Sequence, residues 1–404
     1  MKYIVLLGDG MSDEPIAELN GKTPLQAAVT KAFDKLAPLS MVGLVKTIPD
    51  GMPPGSDTAN LSVLGYDPQK YYSGRSPLEA VSMGINMACT DVAYRCNLVT
   101  LDVPDGRYDD AVILDHSADE ITTPEGVELI EFVNAHFATE SLKIYGGISY
   151  RHCLILHDAE AGSQLTPPHD ILMQPIRSYL PQGTHAELFY DLQKRSYELL
   201  KEHPVNLLRM QKGLKPANSL WFWGEGRKPM LPAFRAQYGL SGAVISAVDL
   251  IKGIGLCADM QSIDVPGATG NIHTDFRAKA NAALAALQDG IDFVYIHVEA
   301  PDESGHRNEL QNKVLSIEKI DAEMLTPMLQ SLNASGEDYS ILVLPDHPTP
   351  LRLRTHTSDP VPFMLYRSND PHSSGMPSYD ESSAAKSGIY FDSGPALMKY
   401  FLNA

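Results

Sequence analysis

The chain has 404 residues, of which 44% are hydrophobic and 20% charged, a composition that predicts a folded protein of two or three domains. Its formal net charge of −18 excludes broad binding to nucleic-acid backbones, and no apolar run approaches the roughly 18 residues of a membrane-spanning helix. Four cysteines without a CxxC pair predict reduced thiols, not a disulfide framework or a thiolate zinc site. We therefore expect a cytoplasmic protein without nucleic-acid or membrane partners, in which an anionic ligand meets a local cluster of metal ions or arginines.

Strand and helix patterns alternate along the first 64 residues. The strands are short apolar runs, and each helix follows a proline or a polar residue able to cap it. In chain order we predict a strand over 3–7, a helix over 25–36, a strand over 43–48 and a helix over 56–64. A Gly/Pro-rich stretch separates the last two, so Ser56 is expected at the amino end of a helix.

The middle of the chain has a different pattern, which is typical of a mixed sheet accompanied by helices. Here we predict strands over 92–101, 142–145 and 150–156 and helices over 125–134 and 186–202. The aromatic run WFWG at 221–224 is expected to pack in the core and not to stack on a ligand.

The last third returns to the first pattern, with a helix over 275–287, a strand over 292–297, a helix over 311–332 and a strand over 339–344. Strands that alternate with helices predict a mostly parallel sheet covered by helices on both faces. The predicted fold class is therefore α/β, with a smaller α+β domain inserted into it. We place the α/β domain at 1–80 and 262–404 and the inserted domain at 81–261.

Two nucleotide-binding signatures are incomplete in this sequence. The tripeptide GKT at 21–23 ends like a phosphate-binding P-loop, but Ile16 stands in the position of the first glycine. Gly253 and Gly255 lack the third glycine of a dinucleotide fingerprint. Neither kind of nucleotide site is predicted.

Side chains that can carry chemistry follow the predicted strands, which is where open α/β sheets place their sites. Asp9 follows the first strand between two glycines, and Ser56 begins a helix whose amino end favours an anion. Each also has an ordinary structural interpretation, as a turn-forming aspartate and as a helix cap.

Two further groups follow the last two buried strands. Asp302 and His306 stand four residues apart, while Asp346 and His347 directly follow a strand and His356 comes nine residues later. Carboxylates and imidazoles can converge on a divalent cation. Any one histidine could be structural, but their joint occurrence at strand ends predicts a metal site.

The order of these motifs resembles the alkaline phosphatase superfamily of metalloenzymes. More narrowly, the chain resembles the archaeal-type cofactor-independent phosphoglycerate mutases in seven segments: GDGMSDEPIAELNGKTPLQAA, PPGSDTANLSVLGYDP, GRSPLEA, AYRCNLVT, ISYRHCLIL, VPGATGNIHTDF and HVEAPDESGH. This resemblance extends over essentially the whole chain.

The resemblance implies two divalent metal ions per chain, with Mn²⁺ favoured over Mg²⁺ or Zn²⁺, and no requirement for 2,3-bisphosphoglycerate. One ion would be held by Asp9, Ser56, Asp346 and His347, and the other by Asp302, His306 and His356. Ser56 would be the nucleophile of a double displacement in glycolysis or gluconeogenesis. The phosphoryl group would pass from 3-phosphoglycerate to Ser56 and return to the 2-hydroxyl of the bound glycerate.

The resemblance also implies cationic contacts to the substrate from the inserted domain, which would act as a lid. Arg151 is the first candidate, because a guanidinium binds a carboxylate or phosphate with two parallel hydrogen bonds. The further candidates are Arg75, Arg95 and His152. Lys279 or Arg277, on the helix after the second domain boundary, is a candidate for contact with the phosphoryl group. His297 and Glu299 are expected to orient Asp302 or His306.

Two other functions stay open on the sequence. A relative with the same metal core could use another phosphoryl acceptor, as a homoserine kinase, a phosphopentomutase or a phosphatase, because the metal ligands do not separate these activities. A kinase would also need an ATP site, for which no signature is present. A metal-binding scaffold without activity is disfavoured by the presence of Ser56 beside a complete ligand set. Whether the chain is a monomer or a homo-oligomer is left undetermined.

Overall fold

The structure, a computed structural model, describes residues 1–370 and 372–402. It divides the chain into two compact units. Unit 1 consists of Met1–Tyr72 and Met230–Ala404, and unit 2 consists of Ser73–Pro229. Unit 1 is therefore discontinuous in sequence, and unit 2 is inserted into it.

The first segment of unit 1 contains two strands and four helices: β1 (Lys2–Gly8), α1 (Pro24–Ala27), α2 (Lys31–Leu36), β2 (Met41–Val45), α3 (Ser56–Val63) and α4 (Pro68–Tyr71). The prediction of one helix over 25–36 is wrong, because α1 and α2 are separate. The carboxylate of Asp321 accepts the backbone N–H groups of Ala32 and Phe33 at 3.1 and 2.7 Å, and it thereby caps a new helix at that point.

Unit 2 contains seven strands and four helices: α5 (Ser76–Ser82), β3 (Val92–Asp102), β4 (Val112–Asp115), α6 (Thr123–Phe137), β5 (Leu142–Tyr145), β6 (Arg151–Leu156), β7 (Ser163–Gln164), β8 (Gln182–Gly183), α7 (Ala186–Leu200), α8 (Pro204–Gln211) and β9 (Ser219–Arg227). The long strand β3 pairs antiparallel with β4, β6 and β9, and β5 pairs with β6. Apolar side chains of α6 and α7 join those of this sheet in one core. Trp221 and Phe222 are buried, as predicted.

The second segment of unit 1 contains the remaining elements: α9 (Phe234–Tyr238), β10 (Gly242–Ile245), α10 (Asp249–Cys257), β11 (Gln261–Ile263), α11 (Phe276–Gln288), β12 (Phe293–Val298), α12 (Ala300–His306), α13 (Leu310–Lys319), α14 (Thr326–Ser335), β13 (Tyr339–Leu344), β14 (Val361–Arg367), α15 (Glu381–Ser387), β15 (Tyr390–Phe391) and α16 (Gly394–Leu402). A π-helical segment, Ile320–Leu325, joins α13 to α14, so the long helix predicted over 311–332 is helical throughout.

The predicted domain boundaries at 80/81 and 261/262 differ from those of the structure, which lie at 72/73 and 229/230. The second difference is the larger one, and sheet pairing explains it. Strand β10 pairs in parallel with β12 and with β11. Because these strands complete the sheet of unit 1, the segment that follows residue 229 belongs to that unit.

The main sheet of unit 1 has eight strands in the order β11-β10-β12-β1-β13-β14-β2-β15. It is mostly parallel, as predicted, and only β14 runs antiparallel to its neighbours. Side chains alternate between the two faces along a strand, so a fully buried central strand such as β1 requires cover on both faces. On one face, Ile4 and Leu6 pack with Ala280 of α11 and Met324 of the π-helical segment.

No helix within residues 1–370 and 372–402 is long and apolar enough to cross a membrane. All four cysteines are free thiols.

Candidate active site

Three carboxylates lie at the carboxyl end of the main sheet. Asp9 directly follows β1, Asp302 lies on α12 after β12, and Asp346 comes two residues after β13. Because β1 pairs in parallel with both β12 and β13, the ends of these three strands are adjacent. All three aspartates are buried.

Asp9 has an incomplete set of partners. Its Oδ2 lies 3.0 Å from Nε2 of His297, and its Oδ1 lies 3.6 Å from Nε2 of His347. Among the described residues, the buried Oδ1 atom has no hydrogen-bond partner. Burial and the negative charges of Asp346 and Asp302 raise the pKa of Asp9 well above its ordinary value. A cation bound at this point would offset both the burial of the Asp9 charge and its repulsion by Asp346 and Asp302.

Asp302 lies between two histidines. Its Oδ2 is 3.1 Å from Nε2 of His306, one helical turn later on α12, and its Oδ1 is 3.4 Å from Nε2 of His356. Burial acts to raise the pKa of Asp302, but hydrogen bonds with His306 and His356 outweigh it and lower this pKa. The same hydrogen bond raises the pKa of His306 to about 9. The Nε2 atoms of His306 and His356 lie only 2.9 Å apart, so both can bind the same cation.

Asp346 and His347 lie beside the start of α3. One oxygen of Asp346 accepts the backbone N–H groups of Gly10 and His347 at 3.2 and 2.9 Å. Nε2 of His347 lies 3.4 Å from Oδ2 of Asp346 and 3.3 Å from Oγ of Ser56. Ser56 is the first residue of α3, after the N-cap residue Gly55. Its half-buried hydroxyl therefore lies at the amino end of a helix and in contact with the cluster.

The seven predicted ligands are brought together, but the structure groups them differently from the prediction. Two sets of three ligand atoms lie within 4.8 Å of one another: those of Asp9, His297 and Asp346, and those of Asp302, His347 and His356. His297, which was expected only to orient a ligand, is thus a member of a set. Ser56 and His306 lie beside these sets. Mixed carboxylate and imidazole donors, with a buried carboxylate oxygen that lacks a partner, fit a divalent cation.

Two residues of this site escaped the sequence analysis. Asn60 donates to Oδ2 of Asp346 and to the carbonyl of Ser56, both at 2.8 Å, and accepts a hydrogen bond from the hydroxyl of Tyr295 at 2.6 Å. Its position one turn after Ser56 on a predicted helix could have indicated it. Thr349, which contacts Asp302 and His347, lies in a loop without any such signal.

The remaining candidates of unit 1, Lys279, Arg277 and Glu299, differ in their exposure to solvent. Lys279 is fully buried on α11 and donates to the carbonyl of His297 at 3.1 Å, and burial lowers its pKa to about 8. Arg277 is exposed on the same helix, and Glu299 is the half-buried N-cap residue of α12.

Unit 2 contains a cavity of about 210 Å³ on its antiparallel sheet. Three of the predicted substrate-binding residues, Arg95, Arg151 and His152, line it. The others in its lining are Glu79, Asn97, His116, Tyr150, His169 and Trp223. Arg75 is not part of the lining and is exposed at the N-cap of α5. Trp223, expected in the core, is only half-buried and contributes to the cavity wall.

The basic groups of this cavity differ in their partners. Arg95 is paired with Glu79, and its guanidinium carbon lies 4.5 Å from the centre of the Trp223 ring. Arg151 is exposed and forms no ion pair within residues 1–370 and 372–402. Nδ1 of the buried His152 accepts the N–H of Gly147 at 3.0 Å, and burial lowers the pKa of His152 to about 3. The neutral ring therefore carries its proton on Nε2, which has no partner among the described residues.

A mostly parallel sheet gathers carboxylates, imidazoles and a helix-start hydroxyl at adjacent strand ends, which defines an α/β protein with a candidate metal site at the carboxyl ends of its strands. Residues 37–206 match the family model described as 2,3-bisphosphoglycerate-independent phosphoglycerate mutase. A Geobacter sulfurreducens protein named probable 2,3-bisphosphoglycerate-independent phosphoglycerate mutase is 49% identical over 403 residues, which cover 100% of both chains. A Methanosarcina barkeri protein named 2,3-bisphosphoglycerate-independent phosphoglycerate mutase is 50% identical over 390 residues, 96% of each chain. The chain belongs to the 2,3-bisphosphoglycerate-independent phosphoglycerate mutase family.

Two solved structures are similar to this chain along its full length. The cofactor-independent phosphoglycerate mutase of Thermoplasma acidophilum has a TM-score of 0.69 and 25% identity, and the match covers 100% of this chain and 99% of that one. A Pyrococcus horikoshii protein has a TM-score of 0.82 and 29% identity, with 100% and 97% coverage.

Proposed function

We propose that this chain interconverts 3-phosphoglycerate and 2-phosphoglycerate through a phosphorylated Ser56, without 2,3-bisphosphoglycerate. The observation that carries the proposal is the position of the Ser56 hydroxyl. It lies at the amino end of α3 and 3.3 Å from His347, in contact with the carboxylate and imidazole cluster of a chain from the mutase family.

We further propose that the cluster holds two divalent cations. His347 lies close to both sets, and we assign it to the first cation because its Nε2 faces Ser56 at 3.3 Å and Asp346 at 3.4 Å. Asp9, Ser56, Asp346 and His347 would bind one cation, and Asp302, His306 and His356 would bind the other. His297, whose Nε2 lies 3.0 Å from Asp9, would hold that carboxylate in place. Mixed oxygen and nitrogen donors suit Mn²⁺ or Zn²⁺ better than Ca²⁺, and Mn²⁺ is our first choice. When bound, such ions neutralise phosphoryl oxygens and lower the pKa of a contacting hydroxyl.

The protein's own groups position the nucleophile. Oγ of Ser56 loses its proton and attacks phosphorus, the bond from phosphorus to the C3 oxygen breaks, and the C3 oxygen takes up a proton. The C2 hydroxyl of the retained glycerate then loses its proton and attacks phosphoserine, the bond from phosphorus to Oγ of Ser56 breaks, and Oγ takes up a proton. The amino end of α3 favours the phosphoryl group electrostatically. Asn60 donates hydrogen bonds to both the Ser56 carbonyl and Asp346, and it thereby fixes the position of Ser56 relative to this metal ligand.

We assign recognition of the glycerate to unit 2. Arg151, which has no ion pair within the described residues, and the buried His152 line a cavity large enough for a three-carbon acid. Arg95 is already neutralised by Glu79 and shapes the wall. Arg75 and the buried Lys279 have weaker support as substrate contacts. We also place the protein in the cytoplasm, a reducing compartment in which its four cysteines would stay free thiols.

The test is ³¹P NMR of the Mn²⁺-loaded protein with 3-phosphoglycerate and no bisphosphoglycerate. We expect 2-phosphoglycerate to form, and Ser56→Ala to lose roughly 10⁴-fold or more in rate. Ser335→Ala, which removes a hydroxyl at the end of α14, is the control and should keep full activity. A parallel sample with ATP and homoserine distinguishes the kinase. Phosphohomoserine there with no 2-phosphoglycerate, or an active Ser56→Ala variant, would refute the proposal.

A further inference from the structure

Thr349 contacts two candidate ligands of the same set, Asp302 and His347. Its hydroxyl donates to Oδ1 of Asp302, and its Oγ1 lies 3.3 Å from Nδ1 of His347. A carboxylate offers only acceptor atoms, so the single hydroxyl proton is directed to Asp302. The hydroxyl oxygen is then left to accept a hydrogen bond, and Nδ1–H of His347 is the donor beside it.

This arrangement determines which nitrogen of His347 can bind a cation. With the proton on Nδ1, Nε2 keeps its lone pair, and only an unprotonated imidazole nitrogen binds a metal. Nε2 is also the atom that faces Ser56 at 3.3 Å and Asp346 at 3.4 Å. The opposite tautomer would place a proton where the ligand atom is needed.

The side chain of Thr349 is held tightly in place. It is fully buried. A Cβ atom on Gly10, whose φ is +59°, would lie 2.7 Å from Oδ1 of Asp302 and would also collide with the Thr349 hydroxyl. A Cβ atom on Gly305 would lie 2.7 Å from the carbonyl oxygen of Thr349. The two glycines therefore leave space for a threonine that has little freedom to move.

A buried lysine holds the backbone of Thr349. Nζ of Lys313, on α13, donates to the carbonyl of Thr349 at 2.8 Å, to Asp13 at 2.7 Å and to the carbonyl of Ser12 at 3.3 Å. Lys313 is completely inaccessible to solvent. It thus ties the loop after β13 to the loop after β1, the two loops that carry Asp346 and Asp9.

We propose that Thr349 is a positioning residue for the cation site, in which its hydroxyl couples Asp302 to His347 and holds His347 with Nε2 free to bind a cation. Lys313 supports it by fixing the backbone at that point. This inference rests on the proposed function, because it assumes that the cluster binds divalent cations.

The test is titration of the metal-free full chain with Mn²⁺ by calorimetry, beside mutase assays. Thr349→Val keeps the shape but removes the hydroxyl, and we expect its Mn²⁺ affinity to fall roughly 10- to 100-fold. Thr349→Ser keeps the hydroxyl and should bind Mn²⁺ nearly as the unsubstituted protein does. The matched control is Thr47→Val, because Thr47 is equally buried and its hydroxyl has no partner among the described residues.

Each outcome separates the two ideas. Unchanged affinity in Thr349→Val, or equal losses in the Val and Ser variants, would overturn the role of Thr349 and leave the proposed function standing. An unsubstituted protein that binds no Mn²⁺ and has no mutase activity would refute the proposed function as well.

A second measurement does not depend on the folding of a variant. Long-range ¹H–¹⁵N spectra of the metal-free, ¹⁵N-histidine-labelled full chain report which nitrogen carries the proton, with His347 assigned by comparison with His347→Gln. We expect Nδ1–H for His347. A proton on Nε2 would overturn the inference.

Discussion

The charged groups of the two units are balanced differently. In unit 1, the buried Asp9, Asp302 and Asp346 contact imidazole, hydroxyl and amide groups. Within residues 1–370 and 372–402, no lysine or arginine forms an ion pair with any of them. Buried carboxylates without a cationic side chain are costly, and a bound cation would remove that cost.

Unit 2 shows the reverse. Two of its partly buried acids are paired with basic side chains, Asp115 with Lys215 and Glu79 with Arg95. The cavity instead presents Arg151, which has no acidic partner in the described part of the chain. The comparison favours a cationic ligand for unit 1 and an anionic ligand for unit 2, because each is opposite in sign to the unmatched charge.

Asp302→Asn is the strongest test of a cation site in unit 1. The substitution removes one ligand charge with little change in shape, and kcat/KM for 3-phosphoglycerate should fall by more than about 10³-fold. Glu303→Gln is the matched control, because Glu303 is the next residue on α12 and pairs with Arg307. Near-normal kcat/KM with Mn²⁺ in Asp302→Asn would contradict the assignment.

Arg151→Ala tests whether the cavity of unit 2 binds the anionic substrate. Loss of about 2 kcal/mol of charge-assisted binding would lower kcat/KM for 3-phosphoglycerate roughly 30-fold. Hydrolysis of an aryl phosphate, which lacks the carboxylate, should change less than about twofold. Arg195→Ala, which removes an exposed arginine of α7 paired with Asp191, is the control. Equal losses on both substrates would mean that Arg151 supports the fold or the shared chemistry.

The smallest expected effect is on stability, and it has opposite signs in the two units. Asp9 has a raised pKa, so metal-free folded protein binds more protons than the unfolded chain, and its stability falls as pH rises from about 4 towards that raised pKa. Asp9→Asn should remove this loss and raise the Tm by a few degrees at pH 7.5.

Asp115 has a lowered pKa, because its hydrogen bonds from Lys215 and Ser117 outweigh burial. Its stabilisation is present above about pH 4 and is lost in acid.

Asp115→Asn should therefore lower the stability at pH 7.5 by about 1 kcal/mol or less, since solvent screens the exposed Lys215. The measurement is thermal unfolding in EDTA at pH 7.5 and pH 4, with both differences smaller at pH 4. A lower Tm for Asp9→Asn at pH 7.5 would show that the Asp9 carboxylate stabilises the metal-free protein.

Much of the candidate site could be predicted because its members are local in sequence to buried strands. The apolar runs located β1, β12 and β13 to within about one residue at each end. The polar residues after them then had to share one sheet edge, as the parallel pairing of these strands confirms. Asp302 and His306 are one helical turn apart, which is a local property as well.

The errors have a common physical origin in contacts between distant parts of the chain. The helix predicted over 25–36 is divided because Asp321, 289 residues away from Ala32, caps α2. The second domain boundary was misplaced because β10 pairs with β12 and not with the strands that precede it in the chain. Apolar periodicity contains no information on either pairing.

The sequence alone determined the α/β class, the order of the main elements and the residues that lie at the strand ends. It also carried the family resemblance. Only the tertiary structure decided that His297 joins Asp9 across 288 residues and that His347 approaches His356. It also placed Thr349 between Asp302 and His347, and brought Arg151 and His152 together with Trp223 around one cavity. The reason is that periodicity encodes which side chains are buried, whereas distances between ligands depend on which strands pair and how loops pack at their ends.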